Sequence, residues 1–141
     1  MPIQFSTVFF TAFFLCTSSQ VHAQQENFEA GLAAKDRGHY ATAIRAWRPL
    51  AEQGIAEAQN NLGHMYEEGL GVSQDYTEAM RWYRLAANSE LPQAQYNIGL
   101  LYYFGYGVSQ NPREALRWFR LAAAKDLSDA QYMIGRVFHQ T

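Results

Sequence analysis

The sequence predicts an all-α fold, a right-handed solenoid of helix-turn-helix units with about seven helices, and two observations support this prediction. First, residues 55–90 align with residues 91–126 without a gap, and 18 of the 36 positions are identical. Second, apolar residues recur at helical spacing along the chain, whereas no segment shows the alternation of a strand. A single unit of this size cannot bury its apolar face alone, so successive units are expected to stack on one another.

Composition narrows the classes of function. The 141 residues are 48% hydrophobic and 15% aromatic, which is enough for one sizeable core. The formal net charge of −2 lacks the strongly basic character that neutralises phosphates, so we expect no nucleic-acid partner. Cys16 is the only cysteine, which excludes an internal disulfide and a cluster of thiolate metal ligands.

The first 23 residues have the pattern of a signal peptide. No charged side chain precedes Glu26, an apolar run at 8–16 is followed by polar residues, and modest side chains stand at positions −3 and −1 before Gln24. The apolar run is shorter than the roughly 18–20 residues that span a bilayer. We therefore predict cleavage, export to the periplasm or the medium, and no integral membrane segment afterwards. Because this start carries only the charge of the amino terminus, an uncleaved anchor and a buried N-terminal helix are the alternatives.

Residues 24–54 form a degenerate first unit. A helix is expected over about 27–37, ended by Gly38, and a second over about 40–53, ended by Gly54. The second helix shares residues with the later units at a spacing of 36, as Tyr40 does with Tyr76. The turn between these two helices has shrunk to about two residues, which makes this copy atypical.

Two full units and a half-unit follow. In each full unit we call the first helix A and the second helix B. In residues 55–90, helix A is predicted over 56–68 and helix B over 76–88; in residues 91–126, over 92–104 and about 112–125. Residues 127–141 form a half-unit, a lone capping helix over about 128–138.

The helix starts and turns have their own signals. Asp75 with Glu78, and Asn111 with Glu114, are each an N-cap acceptor followed three residues later by a carboxylate that can reach back to a free backbone N–H. Pro112 then occupies the first helical position, where its missing N–H costs nothing. The Gly-x-Gly segments at 69–71 and 105–107 are interpreted as helix ends and turns rather than as phosphate cradles.

Residues shared by the units are expected to form the core. A glycine inside helix A costs about 1 kcal/mol relative to alanine, so its recurrence predicts close helix crossings. The recurring glycines are Gly63, Gly99 and Gly135. The aromatic and leucine residues expected to fill the space around them are Trp47, Trp82, Tyr83, Trp118, Phe119, Leu85 and Leu121.

Two motifs identify a family. Ala-Gln-x-x-Leu-Gly-x-x-Tyr-x-x-Gly-x-Gly-Val over 58–72 and Ala-x-x-Trp-x-x-x-Ala-Ala over 79–87 both recur 36 residues later, with Ile98 in place of Leu62. They resemble Sel1-like repeats, which are related to tetratricopeptide repeats. This resemblance implies an α-solenoid that binds proteins or peptides on a concave surface lined by the A helices. It implies adaptors or scaffolds that work without a cofactor.

Motifs of catalysis or metal binding are missing. The chain has no nucleophile motif and no phosphate-binding loop ending in Lys-Ser or Lys-Thr, so we predict that it is not an enzyme and uses no cofactor. Only His39, His64 and His139 follow the signal segment, and this ligand count does not indicate a metal site.

A row of arginines suggests an alternative function. Each helix B carries two arginines three residues apart, and the stack would align them: Arg45, Arg48, Arg81, Arg84, Arg117 and Arg120. Such a row could bind the cell wall or another anionic polymer. The competing interpretation is that Glu78 and Glu114 pair with Arg81 and Arg117 on a solvated face, where each pair contributes only a few tenths of a kcal/mol.

The best candidate binding surface lies where the units disagree. Positions that hold the stack are expected to repeat, whereas positions that bind a partner are free to vary, and tyrosine and arginine are frequent in interface hot spots. The candidate residues are Asn60, Asn61, His64, Glu68, Tyr96, Asn97, Leu100, Phe104, Tyr132 and Arg136. A further varying set, considered with them, is Met65, Leu101 and Val137. The sequence thus predicts a protein- or peptide-binding scaffold, and no motif identifies the partner or the oligomeric state.

Overall fold

A computed structural model describes residues 7–139, with side chains from residue 18 onward. Within that range the chain forms a right-handed α-solenoid of seven helices without a strand, which confirms the predicted fold class. The helices are α1 Thr7–Asp36, α2 Tyr40–Glu52, α3 Ala56–Glu68, α4 Tyr76–Asn88, α5 Pro92–Phe104, α6 Pro112–Ala123 and α7 Ser128–His139. The A helices are therefore α1, α3, α5 and α7, and the B helices are α2, α4 and α6.

Helix α1 begins about twenty residues before the position expected from the sequence. It runs from Thr7 through the predicted cleavage position, because no glycine or proline interrupts residues 7–30. Its contacts with α2 include a hydrogen bond from Gln24 Nε2 to Gln53 Oε1 at 2.8 Å. Further along, Trp47 Nε1 of α2 donates to the backbone oxygen of Phe28 at 3.2 Å. These contacts hold the part of α1 after residue 23 against the stack.

The helices pack mainly against their neighbours in sequence, from α1 on α2 to α6 on α7. Hydrophobic clusters follow one another along this row. One cluster centres on Trp47 and Leu62, the next on Tyr83 and Ile98, and the last on Phe119. Each unit therefore buries its apolar face against the units beside it, as stacked repeats do.

Three A helices carry a glycine directly beneath an aromatic ring of the following B helix. A Cβ added at Gly63 would lie 2.6 Å from the Tyr83 ring, and one added at Gly99 would lie 2.5 Å from the Phe119 ring. Gly31 of α1 has the same relation to Trp47 at 2.2 Å. The close crossing predicted from these glycines is confirmed at Gly63 and Gly99, because no larger residue leaves space for the ring.

The same prediction is wrong at Gly135, where no heavy atom lies within 4 Å of an added Cβ apart from the helix's own backbone and chain neighbours. The reason is that α7 is the last helix in the range that the structure describes. Two further expectations fail on the B helices, because Leu85 and Leu121 are exposed. The positions of α4 and α6 that face the A helices belong instead to alanines and the ring residues Tyr83 and Phe119.

The turns and starts of the B helices follow the sequence signals. Gly69 and Gly105 end their A helices at φ 67° and 75°, in the left-handed region that favours glycine. Asp75 accepts hydrogen bonds from the backbone N–H groups of Thr77 and Glu78 at 2.9 and 3.0 Å. Asn111 caps α6 in the same way, accepting from the Glu114 N–H at 3.1 Å.

Removing the cap of α4 should have a measurable cost. We expect Asp75→Ala to lower the free energy of unfolding by about 1 kcal/mol, because two backbone N–H groups lose their acceptor. Asp75 is exposed, so little packing is lost with it. Urea unfolding followed by circular dichroism measures the change, and Asp75→Asn is the matched control because it retains an acceptor. Equal losses in the two variants would contradict a capping role.

Candidate functional site

The exposed side of the A helices forms one continuous surface. On α3, Ala58, Leu62 and Met65 are buried, whereas His64 and Glu68 lie on the other side of the helix. The same register repeats on α5. We call the surface formed by Asn60, Asn61, His64, Glu68, Asn97, Leu100, Phe104 and Arg136 the A-helix face.

Contacts between neighbouring helices bring part of this face together. Asn97 Nδ2 of α5 donates to Asn60 Oδ1 of α3 at 3.0 Å. A hollow of about 190 Å³ lies beside this pair and is shared by α1, α3 and the start of α5. Its lining residues are Phe28, Leu32, Glu57, Asn60, Asn61, Leu91 and Gln93. The three asparagines predicted as site residues thus border one surface, which also includes apolar side chains of α1 that the sequence analysis did not select.

Aromatic residues cluster where α5 ends. Phe104 stacks on Tyr106 with ring centroids 5.4 Å apart, and Tyr106 stacks on Tyr76 of α4 at 5.0 Å. Tyr103 meets Phe104 edge to face at 4.9 Å. Phe104 is 47% exposed and Tyr106 is 43% exposed, although both rings are large. The cluster combines a preformed aromatic surface with solvent access.

Arg136 of α7 borders this aromatic cluster. Its guanidinium carbon lies 6.0 Å from the centroid of the buried Tyr103 ring, at the outer limit of a cation–π contact. The sequence analysis selected Phe104 and Arg136 but missed Tyr106. The available signal was that Tyr106 replaces Leu70 of the preceding unit, a disagreement inside a turn that otherwise repeats.

The two tyrosines proposed as site residues have different environments. Tyr96 is half-buried, and its ring centroid lies 5.7 Å from that of Phe119. Burial raises the pKa of Tyr96, and the nearby Asp129 carboxylate adds to this shift. Tyr132 occupies the same position one unit later and is 66% exposed. Tyr96 therefore contributes to packing between units, whereas Tyr132 lies at the open end of the stack.

The third varying set of the sequence analysis does not belong to the surface. Met65 and Leu101 are fully buried, and Val137 is 5% exposed. Their identities change because the volume to be filled between units changes from one unit to the next. Their inclusion as surface positions was wrong.

A buried polar pair lies directly behind the A-helix face. Tyr83 OH donates to Glu67 Oε2 at 2.5 Å, across sixteen residues of sequence. Burial raises the pKa of Glu67, while the Tyr83 hydrogen bond and the neighbouring His64 lower it and the Glu68 carboxylate raises it. Burial is also the main cause that raises the pKa of Tyr83, with the charge of Glu67 next. The pair ties α4 to α3 and limits which groups of this region can titrate.

The pair predicts a pH-dependent mutational effect. The folded-state pKa of Glu67 is raised, so its protonated form favours folding; that contribution is present below the unfolded pKa and is lost as pH rises through the folded pKa. Tyr83→Phe removes the donor to the ionised carboxylate. We expect a cost of about 1–2 kcal/mol at pH 7 and a smaller cost at pH 4, since a hydrogen bond to a charged group is the stronger one.

Urea unfolding of Tyr83→Phe at both pH values measures this difference. Glu67→Gln provides the background control, because the side chain no longer ionises and the cost of Tyr83→Phe should then be the same at pH 4 and pH 7. A pH-independent cost in the otherwise wild-type protein would rule out the coupling.

Most of the arginine row is engaged within the protein. Arg81 donates twice to the Glu78 carboxylate, at 3.0 Å each, and this hydrogen bonding raises the Arg81 pKa. Arg117 Nη1 lies 3.2 Å from Glu114 Oε1. The other two contacts link successive units: Arg48 donates to the Tyr66 hydroxyl at 3.1 Å and Arg84 donates to the Tyr102 hydroxyl at 3.0 Å. These contacts match the interpretation of solvated ion pairs and inter-unit bonds.

Other kinds of site find no support in the described part of the chain. Among residues 7–139, no three His, Cys, Asp or Glu residues come together in a way that could hold a metal ion. Over the same residues, every helix is either too short or too polar to cross a bilayer.

Comparisons with known proteins agree with this architecture. The family model described as Sel1 repeat matches residues 56–90 and 92–127. The crystal structure of a Sel1 repeat protein from Oxalobacter formigenes is 33% identical, with a TM-score of 0.74, and the match covers 78% of this chain and 45% of that one. No curated protein matches the sequence.

A second solved structure is similar over most of the chain. It is c5321, a protective antigen of uropathogenic Escherichia coli strains that displays an SLR fold; it is 34% identical, with a TM-score of 0.78. The match covers 89% of this chain and 28% of that one. This chain thus spans less than half the length of either solved relative.

Proposed function

This chain belongs to the Sel1 repeat family, and from this premise we propose that it is a scaffold whose A-helix face binds a protein or peptide without catalysing a reaction. The fold is that of a binding scaffold. The observation that carries the proposal is the exposed aromatic cluster around Phe104, on the same face as the asparagine pair of α3 and α5.

The composition of the face suits an extended peptide. Asparagine side chains offer both donors and acceptors to a peptide backbone, and Asn60, Asn61 and Asn97 lie close together on α3 and α5. The cluster of Phe104 and Tyr106 offers a stacked apolar surface for one large side chain of the partner. Polar specificity beside a buried aromatic anchor is the usual composition of an interface hot spot.

The face is already arranged before a partner binds. The hydrogen bond between Asn60 and Asn97 fixes the spacing of α3 and α5, and the stacked rings restrain Phe104. Side chains held in place before binding lose less conformational entropy in the complex. This supports recognition by a preformed shape.

The titrating groups near the face support a role other than catalysis. The Glu67 carboxylate and the Tyr83 hydroxyl, whose pKa values are both raised, form a hydrogen bond with each other that joins α3 to α4. A general base needs a free lone pair directed at substrate, and this carboxylate is engaged within the stack.

Phe104→Ala should weaken partner binding strongly. We expect at least a tenfold loss of affinity, about 1.4 kcal/mol or more, if Phe104 is the central anchor. The protein is used as bait in extracts of its native compartment, recovered proteins are identified by mass spectrometry, and the affinity of the recovered partner is then measured for each variant. Leu121→Ala is the matched control, since Leu121 is a similarly exposed apolar residue on α6.

The proposal would be wrong if Phe104→Ala and Leu121→Ala bound the recovered partner equally well. It would also be wrong if the wild-type protein recovered no partner that an unrelated bait fails to recover.

We also propose that the protein is exported and that residues 1–23 are removed. The described side chains just before the predicted cleavage point, residues 18–23, are exposed, so their removal would cost little packing. Gln24 is the first residue after that point and contacts Gln53. Intact-mass measurement of the protein from its native compartment should give a chain that begins at Gln24; an uncleaved chain would contradict the proposal.

A further inference from the structure

The open side of α7 presents a surface that the inner A helices keep covered. Gly135 has no heavy atom within 4 Å of an added Cβ, other than those of its own helix backbone and chain neighbours. Around it, Tyr132 is 66% exposed and Phe138 is 56% exposed. Gln131 is exposed on the same side. We call Gln131, Tyr132, Gly135 and Phe138 the α7 end face.

The equivalent surface of every earlier A helix has a defined occupant. Gly31, Gly63 and Gly99 each lie under one aromatic ring supplied by a B helix. Those rings belong to Trp47, Tyr83 and Phe119, which are all fully buried. The repeated geometry shows that this glycine is the receptor for a ring, and at Gly135 the receptor is unoccupied by any described residue.

The helices that supply the rings share a pattern. Four residues before each ring stands a fully buried alanine: Ala43, Ala79 and Ala115. Three residues after each ring stands a buried leucine or alanine: Leu50, Ala86 and Ala122. The small residues let the two helices approach closely enough for the ring to reach the glycine backbone. The covering helix is therefore defined chemically as Ala-x-x-x-aromatic-x-x-Ala/Leu.

Helix α7 is held in the orientation of the inner A helices. Its Ala130 and Val137 are buried toward the stack, as Ala94 and Leu101 of α5 are. The register of α7 thus continues that of α5, and Gly135 faces outward where Gly99 faces α6. The interface between α5 and α6 can be repeated on α7 without rearranging it.

We propose that the α7 end face docks a helix of another polypeptide that carries the pattern Ala-x-x-x-aromatic-x-x-Ala/Leu, with its aromatic ring seated on Gly135. The partner would extend the solenoid by supplying the missing B helix in trans. This surface is separate from the A-helix face, and the proposal stands whether or not that face binds a peptide.

The chain itself provides a probe for this site. A synthetic peptide of residues 109–125 contains the covering pattern with Phe119 as its ring. A hydrocarbon staple between positions 113 and 117, which are exposed in α6, keeps the peptide helical without altering its buried side. Binding to the full-length protein is measured by titration calorimetry, beside a matched stapled peptide with Phe119→Ala.

The wild-type peptide should bind saturably, and the Phe119→Ala peptide should bind at least tenfold more weakly. The protein variant Gly135→Ala should also lose at least tenfold in affinity, because its Cβ would occupy the place of the ring, as a Cβ at Gly99 would. The free Gly135→Ala protein should have an unchanged or raised Tm, since alanine favours a helix and meets no neighbour there. Loss of binding would then not result from loss of the fold.

Three results would overturn the proposal. One is the absence of saturable binding by the stapled wild-type peptide, and another is equal binding to wild-type and Gly135→Ala protein. The third comes from sedimentation equilibrium of the wild-type protein alone: a dimer that Gly135→Ala abolishes would assign the α7 end face to a second copy instead of a helix of another protein.

Discussion

Phe119→Ala should lower the free energy of unfolding by about 3–5 kcal/mol, the largest single effect expected in this chain. Phe119 is fully buried, and its ring lies directly on the backbone of α5 at Gly99. The centroids of Tyr96 and Tyr103 lie 5.7 and 6.5 Å from that of Phe119, so both rings lose a partner when it is removed. The resulting cavity would open between α5, α6 and α7.

Urea unfolding with linear extrapolation measures this loss, provided that the slope with denaturant is unchanged. Phe104→Ala is the control, because it deletes the same ring from a position that is 47% exposed. We expect it to cost much less than Phe119→Ala. Equal costs would mean that the ring of Phe119 is not the packing centre of the third unit.

Gly99→Ala should destabilise the protein by about 1–3 kcal/mol, the range for overpacking a close-packed core. The added Cβ would lie 2.5 Å from Phe119 Cε1 and 2.6 Å from Cδ1, so the ring must move. This cost is net of a helix-propensity gain of about 1 kcal/mol that alanine brings at an interior helical position.

The matched control is Gly135→Ala, the same substitution one unit later. No neighbour meets its Cβ, so it should leave stability unchanged or raise it by up to about 1 kcal/mol. Thermal and urea unfolding of both variants should therefore give opposite signs. A destabilisation of similar size at the two positions would show that the glycines act through backbone conformation and not through contact with a ring.

Much of the fold was predictable because the local signals are strong. The bounds of α3, α4 and α5 match the prediction residue for residue, because a glycine ends each A helix and Asp75 caps the start of α4. The prediction missed the early start of α1, where no residue interrupts the helix. The exposure of Leu85 and Leu121 was also missed, because helical periodicity indicates the direction of an apolar stripe but not its width.

The candidate site was predictable only in part. Disagreement between units pointed to Asn60, Asn97 and Phe104, which the structure brings to one surface. The same criterion selected Met65 and Leu101, because core residues also vary when the space between units varies.

Two further features of the site region depend on contacts that the sequence does not reveal. The bond between Tyr83 and Glu67 joins residues on different helices, and the stacking of Tyr106 on Phe104 depends on the path of a turn. The assignment of binding to the A-helix face is therefore a proposal that requires a direct test.

The most direct test places a photoreactive benzoylphenylalanine at position 104, on the A-helix face, or at position 121, on a B helix, in the full-length protein in its native compartment. Both side chains are exposed apolar residues of the folded chain, so the two variants are matched for accessibility. If the A-helix face binds a protein or peptide, irradiation should link one specific partner to position 104 and leave position 121 without it. A partner linked equally at both positions, or at position 121 alone, would contradict the assignment of binding to the A-helix face.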